Sequence, residues 1–362
     1  MAASPSQLVL LGCGGVGLAL LKQVLRGQAL AAEGKMGPIV EVAAVADSKH
    51  ILVAGGAPFS AASLQGIIDA KSPGGGGLGS VAGAEARAVA EASAVIAALG
   101  AGCIVADCTA ADTTALLIAA AEGGAGVVLA NKKPVTAPMP DYKRLVGAGT
   151  RLRHESTVGA GTPVVTSVQR FARIGEPITS ISGAFSGTLG YVMSGLQAGQ
   201  AYSAVVTAAK DAGYTEPDPR DDLGGMDVAR KALILARLLG WELEMKDVEV
   251  ESLYPPELAS VDVPAFMEGL PAVDEPMAAR VKEAEAACCV LRYCATVEGG
   301  ACKVGVKAVP IDSPLGRLQG TDNLVELTSE CYSERPLVIQ GAGAGAEITA
   351  AGVLSDVLSI LD

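Results

Sequence analysis

Histidine is nearly absent from this 362-residue chain, which carries only His50 and His154. A histidine-rich metal centre or a histidine general base is therefore poorly supplied. Aromatic residues make up just 3% of the sequence while glycine reaches 45 residues, a balance that suits tightly packed α/β layers rather than a β-sandwich. Basic residues are outnumbered, 27 Lys and Arg against 39 Asp and Glu, which leaves a net charge of −12 and argues against nucleic acid or a membrane surface as the main partner. No apolar run reaches the length of a membrane span, and no charged segment precedes a leader at the N-terminus. The eight cysteines lack C-x-x-C spacing and sit in apolar segments, so they read as buried free thiols in a reducing compartment. The cytoplasm is the expected location, or a plastid stroma if a transit peptide has been removed.

What is present points to two domains. Leu8-Val-Leu-Leu11 is a buried-strand run, followed by Gly12-Cys13-Gly14-Gly15-Val16-Gly17 and by helical apolar spacing over residues 18–30. In this strand-turn-helix context G-x-G-x-x-G reads as a dinucleotide turn: Gly12 permits the turn, Gly14 admits a pyrophosphate, and Gly17 lets helix and strand pack closely. A strand over residues 40–46 ends in Asp47, either an acceptor for ribose hydroxyls or a solvated turn residue. The acid favours NAD, whereas Ser48 and Lys49 after it suit the 2′-phosphate of NADP, and the choice stays open. Residues 72–80 read as a flexible loop and residues 85–99 as a helix, ahead of a strand at 104–107 that delivers Cys108 and Thr109 to its carboxyl end, where ligands of such folds bind. A helix at 115–122 and a strand at 127–130 lead to Asn131-Lys132-Lys133-Pro134. Lys132 there is either solvated or placed to polarise a carbonyl.

Residues 154–163 leave this domain. Glu155 with backbone carbonyls turned inward by glycine would suit a hard s-block cation, but the residues by themselves read first as an ordinary turn. A strand at 178–185 enters Ser186-Gly187-Thr188, which starts a helix, and a further helix at 202–212 is capped by Gly213. Residues 213–231 then pack five carboxylates, Glu216, Asp218, Asp221, Asp222 and Asp227, together with Lys231. Pro217 and Pro219 forbid helix and rigidify the loop, whereas Gly224 and Gly225 precede a helix over 226–239 with an apolar stripe of Val228, Leu235, Leu238 and Leu239. Asp227 and Lys231, four apart, share a helix face as a solvated ion pair or a functional one. An amphipathic segment at 263–287 precedes strands at 290–297, 302–309 and 324–328, antiparallel partners of 178–185. A Gly-rich turn at 341–345 opens a last helix and is a second candidate for close approach to the cofactor.

The fold class is thus α/β: a Rossmann-like nucleotide-binding domain over residues 1–150 and 341–362, plus an α+β substrate-binding and dimerisation domain over 151–340 with an open mixed or antiparallel sheet.

The chain resembles homoserine dehydrogenase of the short monofunctional type. The matching segments are Gly12 to Gly17, Asn131-Lys132, His154-Glu-Ser-Thr-Val-Gly-Ala-Gly, Ser186-Gly-Thr, the 213–231 block and Gln340-Gly-Ala-Gly-Ala-Gly, nearly the whole chain in the family's order. The 213–231 block is the specific one. The resemblance implies reversible NAD- or NADP-dependent hydride transfer between L-homoserine and L-aspartate 4-semialdehyde, in threonine, methionine and isoleucine biosynthesis. It implies Lys231 as proton donor and Lys132 between nicotinamide and substrate. Glu216 and Asp227 would bind substrate, with Asp222, Tyr214, Thr188 and Gly187 beside them. Gly12, Cys13, Gly14, Gly15, Val16, Gly17, Asp47, Cys108, Thr109, Lys132, Gly213 and Gly343 would bind the cofactor. Glu155, Val158, Ala160 and Thr162 would hold a monovalent cation, sodium. A homodimer without regulatory ACT domain or kinase fusion is expected. Gly190 departs from the asparagine of many members and puts a side-chain role there in doubt.

Two other functions fit the fold. One is another Rossmann amino-acid or semialdehyde oxidoreductase, of which the acylating kind needs a nucleophilic cysteine with a histidine partner that this sequence does not offer. The other is a non-catalytic nucleotide sensor, against which intact Lys231, Asp227 and Glu216 speak.

Overall fold

The computed structural model describes residues 7–35, 40–81, 83–147 and 149–361. Two compact units divide the chain: one runs to Gly161 and resumes at Gly345, and the other is Thr162–Ala344.

The first unit is built on a sheet of β1 (Gln7–Leu11), β2 (Glu41–Ala46), β3 (His50–Val53), β4 (Glu85–Ala88), β5 (Ile104–Asp107), β6 (Gly126–Leu129) and β7 (Leu152–Arg153). Its order is β4-β3-β2-β1-β5-β6-β7. Pairing is parallel from β2 through β1, β5 and β6 to β7. Leu8, Val9 and Leu10 are fully buried, as a continuous apolar run covered on both faces must be. The strand order reverses between β1 and β5, and the crevice beyond their carboxyl ends is where such sheets take ligands. The final helix, Ala346–Leu361, brings Val353 and Val357 into the same core as Leu8 and Leu10.

Two strands here depart from the sequence pattern. Residues 85–88 form β4, not the first turn of the expected helix, which begins at Ala92. Their alanine-rich sequence favours helix, but antiparallel pairing with β3 overrides that weak preference. The strand β3 itself was not expected. It exists because Asp47 reverses the chain, its Oδ1 accepting the N–H groups of Lys49 and His50 at 2.8 and 2.9 Å, an Asx turn.

The second unit carries β8 (Ile178–Ala184), β9 (Val248–Val250), β10 (Cys289–Glu298), β11 (Ala301–Pro310), β12 (Asp322–Ser329) and β13 (Leu337–Ala342) in the order β13-β12-β8-β10-β11-β9. The pairs are antiparallel except for parallel β9 and β11, so the open sheet is mixed. β8 is central between β12 and β10, while β11 pairs with β10 rather than with β8 as expected. The Gly-rich turn starts later than the sequence suggests, because residues 337–342 pair along β12 as an edge strand. The 263–287 segment is likewise interrupted, with helices at Val263–Gly269 and Asp274–Ala286 and a 3₁₀ turn at Leu270–Val273 between them, where Pro271 cannot continue the α-helical ladder.

Helix Met226–Leu238 is buried around almost its whole circumference, over Val228, Ala229 and residues 231–237, not along one stripe. It lies on the sheet, where the Cys302 thiol approaches the Ala232 carbonyl at 3.8 Å. Gly225 starts it in the left-handed region, with φ +72°, and a Cβ there would fall 2.0 Å from the Tyr293 hydroxyl. Any other residue would push the helix off the sheet. Among the described residues no helix is long and apolar enough to cross a membrane.

Candidate functional site

In the first unit the glycine turn forms the floor of a cleft of about 590 Å³ lined by Gly12, Gly14, Asp47, Lys71, Cys108 and Thr109 among others. Its glycines have separable roles. Gly12, at φ +91°, passes so close to β5 that a Cβ would meet the Cys108 carbonyl at 2.8 Å. Gly17 is pressed against the turn, where a Cβ would fall 2.0 Å from the Gly12 oxygen. Gly14 has nothing within 4 Å of a Cβ position, so its outer face is open to a ligand. Helix Gly15–Ala32 starts there without a side-chain cap, leaving N–H groups and the positive dipole end for an anion.

Asp47 is engaged on both oxygens. Besides the two N–H bonds to Oδ1, its Oδ2 lies 3.0 Å from Lys71 Nζ. Burial pushes the carboxyl up, but the N–H groups of His50 and Lys49 and the Lys71 ammonium outweigh it and hold it below the usual carboxylate range. Lys71 was missed from the sequence. It ends helix Ala61–Lys71, 24 residues from Asp47, and no local pattern joins them. Neither thiol of the cleft is primed for attack: burial pushes Cys13 up to about 11 and raises Cys108 further.

At the carboxyl ends of β5 and β6, Asp107 accepts from the Thr109 N–H at 2.9 Å, the Thr113 hydroxyl at 2.5 Å and Asn131 Nδ2 at 3.0 Å. Asn131 Oδ1 in turn accepts the Lys133 N–H at 3.1 Å. This buried network, also unread in the sequence, fixes the two strand ends that present Thr109 and Lys132.

Of the expected cation ligands, Glu155 is 7% exposed, Val158 0% and Ala160 6%. Ala160, at φ +56°, and Gly159, at φ +76°, are both left-handed. The Glu155 N–H donates to Asp356 Oδ2 at 2.8 Å and the Ser156 hydroxyl to the Thr349 carbonyl at 2.9 Å, so the last helix clamps this turn. Thr162 belongs to the second unit, and its carbonyl accepts the Val164 N–H at 2.8 Å. No cluster of three or more His, Cys, Asp or Glu suited to a metal occurs among the described residues.

In the second unit Lys231 is 7% exposed. Its Nζ donates to the Phe185 carbonyl at 2.6 Å and lies 2.8 Å from Asp227 Oδ2. The solvated reading of this pair is thereby set aside for the lysine, though Asp227 remains half-exposed. The Thr188 hydroxyl donates to the Tyr214 carbonyl at 2.6 Å, and the Asp222 carboxylate accepts the Glu216 N–H at 2.8 Å. Burial pushes the Asp222 carboxyl up, and the charges of Glu216 and Asp227 add to that, against hydrogen bonds from Glu216 N–H and Thr188. Glu216 and Asp227 thus lie near enough to Asp222 to act on its charge, while Asp218 is turned to Arg220.

Arg220 holds that loop in place. Its guanidinium forks onto Asp218, donates to the carbonyls of Leu258, Ala259 and Val261, and lies over the Phe266 ring at 5.4 Å. Residues 220–223 form a short helix where Pro217 and Pro219 suggested loop alone, since Pro219 is tolerated just ahead of a first turn. Gly190, the departure noted in the sequence, has no room for a side chain: a Cβ would lie 2.7 Å from the Gly320 carbonyl.

A parallel sheet with a glycine turn at its switch point, and a separate mixed-sheet unit that buries a lysine against an aspartate, define a Rossmann-type α/β protein of two units. The homoserine dehydrogenase family model matches residues 163–358, more than half of the chain, and the chain belongs to that family. It is 43% identical to the homoserine dehydrogenase of Paracoccidioides brasiliensis over 256 residues, 66% of this chain and 68% of that protein. A bifunctional aspartokinase/homoserine dehydrogenase of Zea mays is 42% identical over 66% of this chain, which spans 27% of that protein's length. The chain thus spans about a quarter of the bifunctional plant relatives it matches. A hyperthermophilic archaeal homoserine dehydrogenase in complex with NADPH superposes with a TM-score of 0.75, covering 98% of this chain and 97% of that one. At 21% identity this is a likeness of fold.

Proposed function

We propose that the chain catalyses reversible hydride transfer between L-homoserine and L-aspartate 4-semialdehyde with NADP or NAD, in the biosynthesis of threonine, methionine and isoleucine. The carrying observation is the buried Lys231 ammonium, held between the Asp227 carboxylate and the Phe185 carbonyl at the end of the acidic loop. The nicotinamide, when bound, supplies or takes the hydride. In reduction Lys231 gives a proton to the aldehyde oxygen, and in oxidation it takes the proton back from the alcohol. Asp227 keeps the ammonium charged and oriented. Glu216 and Asp222 receive the substrate's α-ammonium, with Thr188, Gly187 and Tyr214 shaping the loop around it. Lys132 polarises the reacting carbonyl.

The open face of Gly14, the uncapped helix and the Asp47–Lys71 pair support dinucleotide binding in the first unit, with Gly12, Cys13, Cys108 and Thr109 lining the cleft and Gly15, Val16 and Gly17 completing the turn; Gly213 and Gly343 join the cofactor residues on the resemblance alone. Lys71 beside Asp47 favours NADP, since its ammonium offsets the acid against a 2′-phosphate. The NADPH found in the archaeal structure agrees with this choice. Glu155 with the carbonyls of Val158 and Ala160 offers hard oxygen donors for sodium, supported by the left-handed Ala160. We further infer a homodimer formed through the second unit's sheet, in a reducing, cytoplasmic compartment where all eight cysteines stay free.

The test is absorbance in the NAD(P)H band with L-homoserine added. Cofactor reduction is expected, and its absence with both NADP and NAD would sink the proposal.

A further inference from the structure

Asp218 and Arg220 have no role in the chemistry above, yet their side chains are locked together. Arg220 Nε lies 2.9 Å from Asp218 Oδ1 and Nη2 lies 2.7 Å from Oδ2, and this fork holds the Asp218 carboxyl below the usual carboxylate range. A solvated pair two residues apart would contribute little. This one is partly buried, with Arg220 15% and Asp218 31% exposed. The remaining nitrogen, Nη1, reaches 38 to 41 residues along the chain to the carbonyls of Leu258, Ala259 and Val261 at 3.3, 3.1 and 2.6 Å. They lie at the end of a 3₁₀ turn, Pro256–Leu258, where carbonyls need donors from outside the helix.

The segment that Arg220 grips is a platform for the acidic loop. Phe266, fully buried, carries the guanidinium over its ring at 5.4 Å and meets Tyr254 edge-on at 5.4 Å. From the same segment the Leu253 N–H donates to the Leu223 carbonyl at 2.9 Å. Residues 220–223 form one helical turn, on which positions three apart share a face and positions two apart do not. Arg220 and Leu223 thus sit on the platform side. Asp222 lies off it and accepts the Glu216 N–H at 2.8 Å, and Gly224 and Gly225 lead on into the helix that carries Asp227 and Lys231.

We propose that Arg220 is a positioning residue for substrate binding: by fixing the 220–223 turn on residues 253–266, it sets where Asp222 and Glu216 stand to receive the substrate's α-ammonium. The inference rests on the dehydrogenase reading above, which gives those two acids their substrate, and deepens it. Without the guanidinium, the Asp218 carboxylate and the three carbonyls lose their shared donor, and the turn is free to move with Asp222 on it. Lysine cannot replace it, because one ammonium does not span the Asp218 fork and the carbonyls at once. The loss falls on binding rather than on proton transfer, since Lys231 is held separately by Asp227 and the Phe185 carbonyl.

The test compares wild type, Arg220→Lys and Arg220→Ala in steady-state assays with L-homoserine, with cofactor affinity titrated separately and methylguanidinium added back to the alanine variant. We expect KM for homoserine to rise by about tenfold in both variants, the size of one lost hydrogen bond to a charged group, while kcat stays within about threefold and cofactor affinity within about twofold. Methylguanidinium is expected to lower the raised KM of Arg220→Ala and to leave wild type unchanged. An unchanged KM in a folded variant overturns the proposal, as does a loss shared equally by homoserine and cofactor that methylguanidinium does not reverse. If Arg220→Ala does not fold, Arg220→Lys decides alone. A wild type without turnover on homoserine would count against the dehydrogenase reading instead. Amide hydrogen exchange at Glu216 then decides the positioning: protection lost in Arg220→Lys supports it, and protection equal to wild type overturns it.

Discussion

Asp227 Oδ2 stands 2.8 Å from Lys231 Nζ, and the two side chains differ sharply in exposure, 50% for the aspartate and 9% for the lysine. The lysine is thus desolvated while its counter-charge is not. Such a pair orients and keeps an ammonium more than it stabilises the fold, because water screens its outer member.

Asp227→Asn is accordingly expected to lower turnover by about ten- to hundredfold and to cost about 1 kcal/mol of stability. Steady-state rates together with urea unfolding separate the two effects. A loss of stability without loss of rate would place the pair in the scaffold.

The Asp47–Lys71 pair predicts a change of cofactor preference. Lys71→Met leaves the Asp47 charge uncompensated in the cleft, so affinity for NADP is expected to fall by about tenfold relative to NAD. Separate titrations of the two cofactors check it, and the difference should shrink at high salt.

Gly14 and Gly17 make opposite demands. Gly14→Ala faces open space and is expected to fold normally while weakening the dinucleotide, because the added methyl stands where the pyrophosphate approaches. Gly17→Ala collides with the Gly12 carbonyl and is expected to lower the thermal midpoint as well. Melting curves with and without cofactor distinguish them.

His154 is buried, and burial pulls its pKa down to about 4. The unfolded chain binds a proton near the ordinary value of 6.5, so between these limits the unfolded state holds more protons than the folded one. Stability is full above pH 6.5 and is lost as pH falls towards 4, on the order of 3 kcal/mol in all. His154→Asn is expected to flatten this limb in denaturant midpoints measured from pH 7.5 to 4.5.

Much of the first unit was legible because its signals are local. The Gly12 to Gly17 turn and the β5 run each declare themselves within a few residues, as does the Asp227–Lys231 spacing in the second unit. Features joined across long separations were not. Lys71 reaches Asp47 from the far end of another helix, Arg220 ties its loop to carbonyls near residue 260, and Asp107 meets Asn131 only when β5 and β6 pair. The 85–88 strand was misread because alanine-rich spacing speaks for helix and only pairing with β3 reverses it.

The central claim is that Lys231 carries the proton in homoserine oxidation. Its most direct measurement is the initial rate of NAD(P)H formation from L-homoserine by wild type and Lys231→Met, with cofactor affinity and melting temperature followed in parallel. We expect wild type to turn over and the variant to lose a factor of about 10² to 10⁴ while still folding and binding cofactor. A folded, cofactor-binding variant that keeps turnover within a few-fold of wild type would contradict the account.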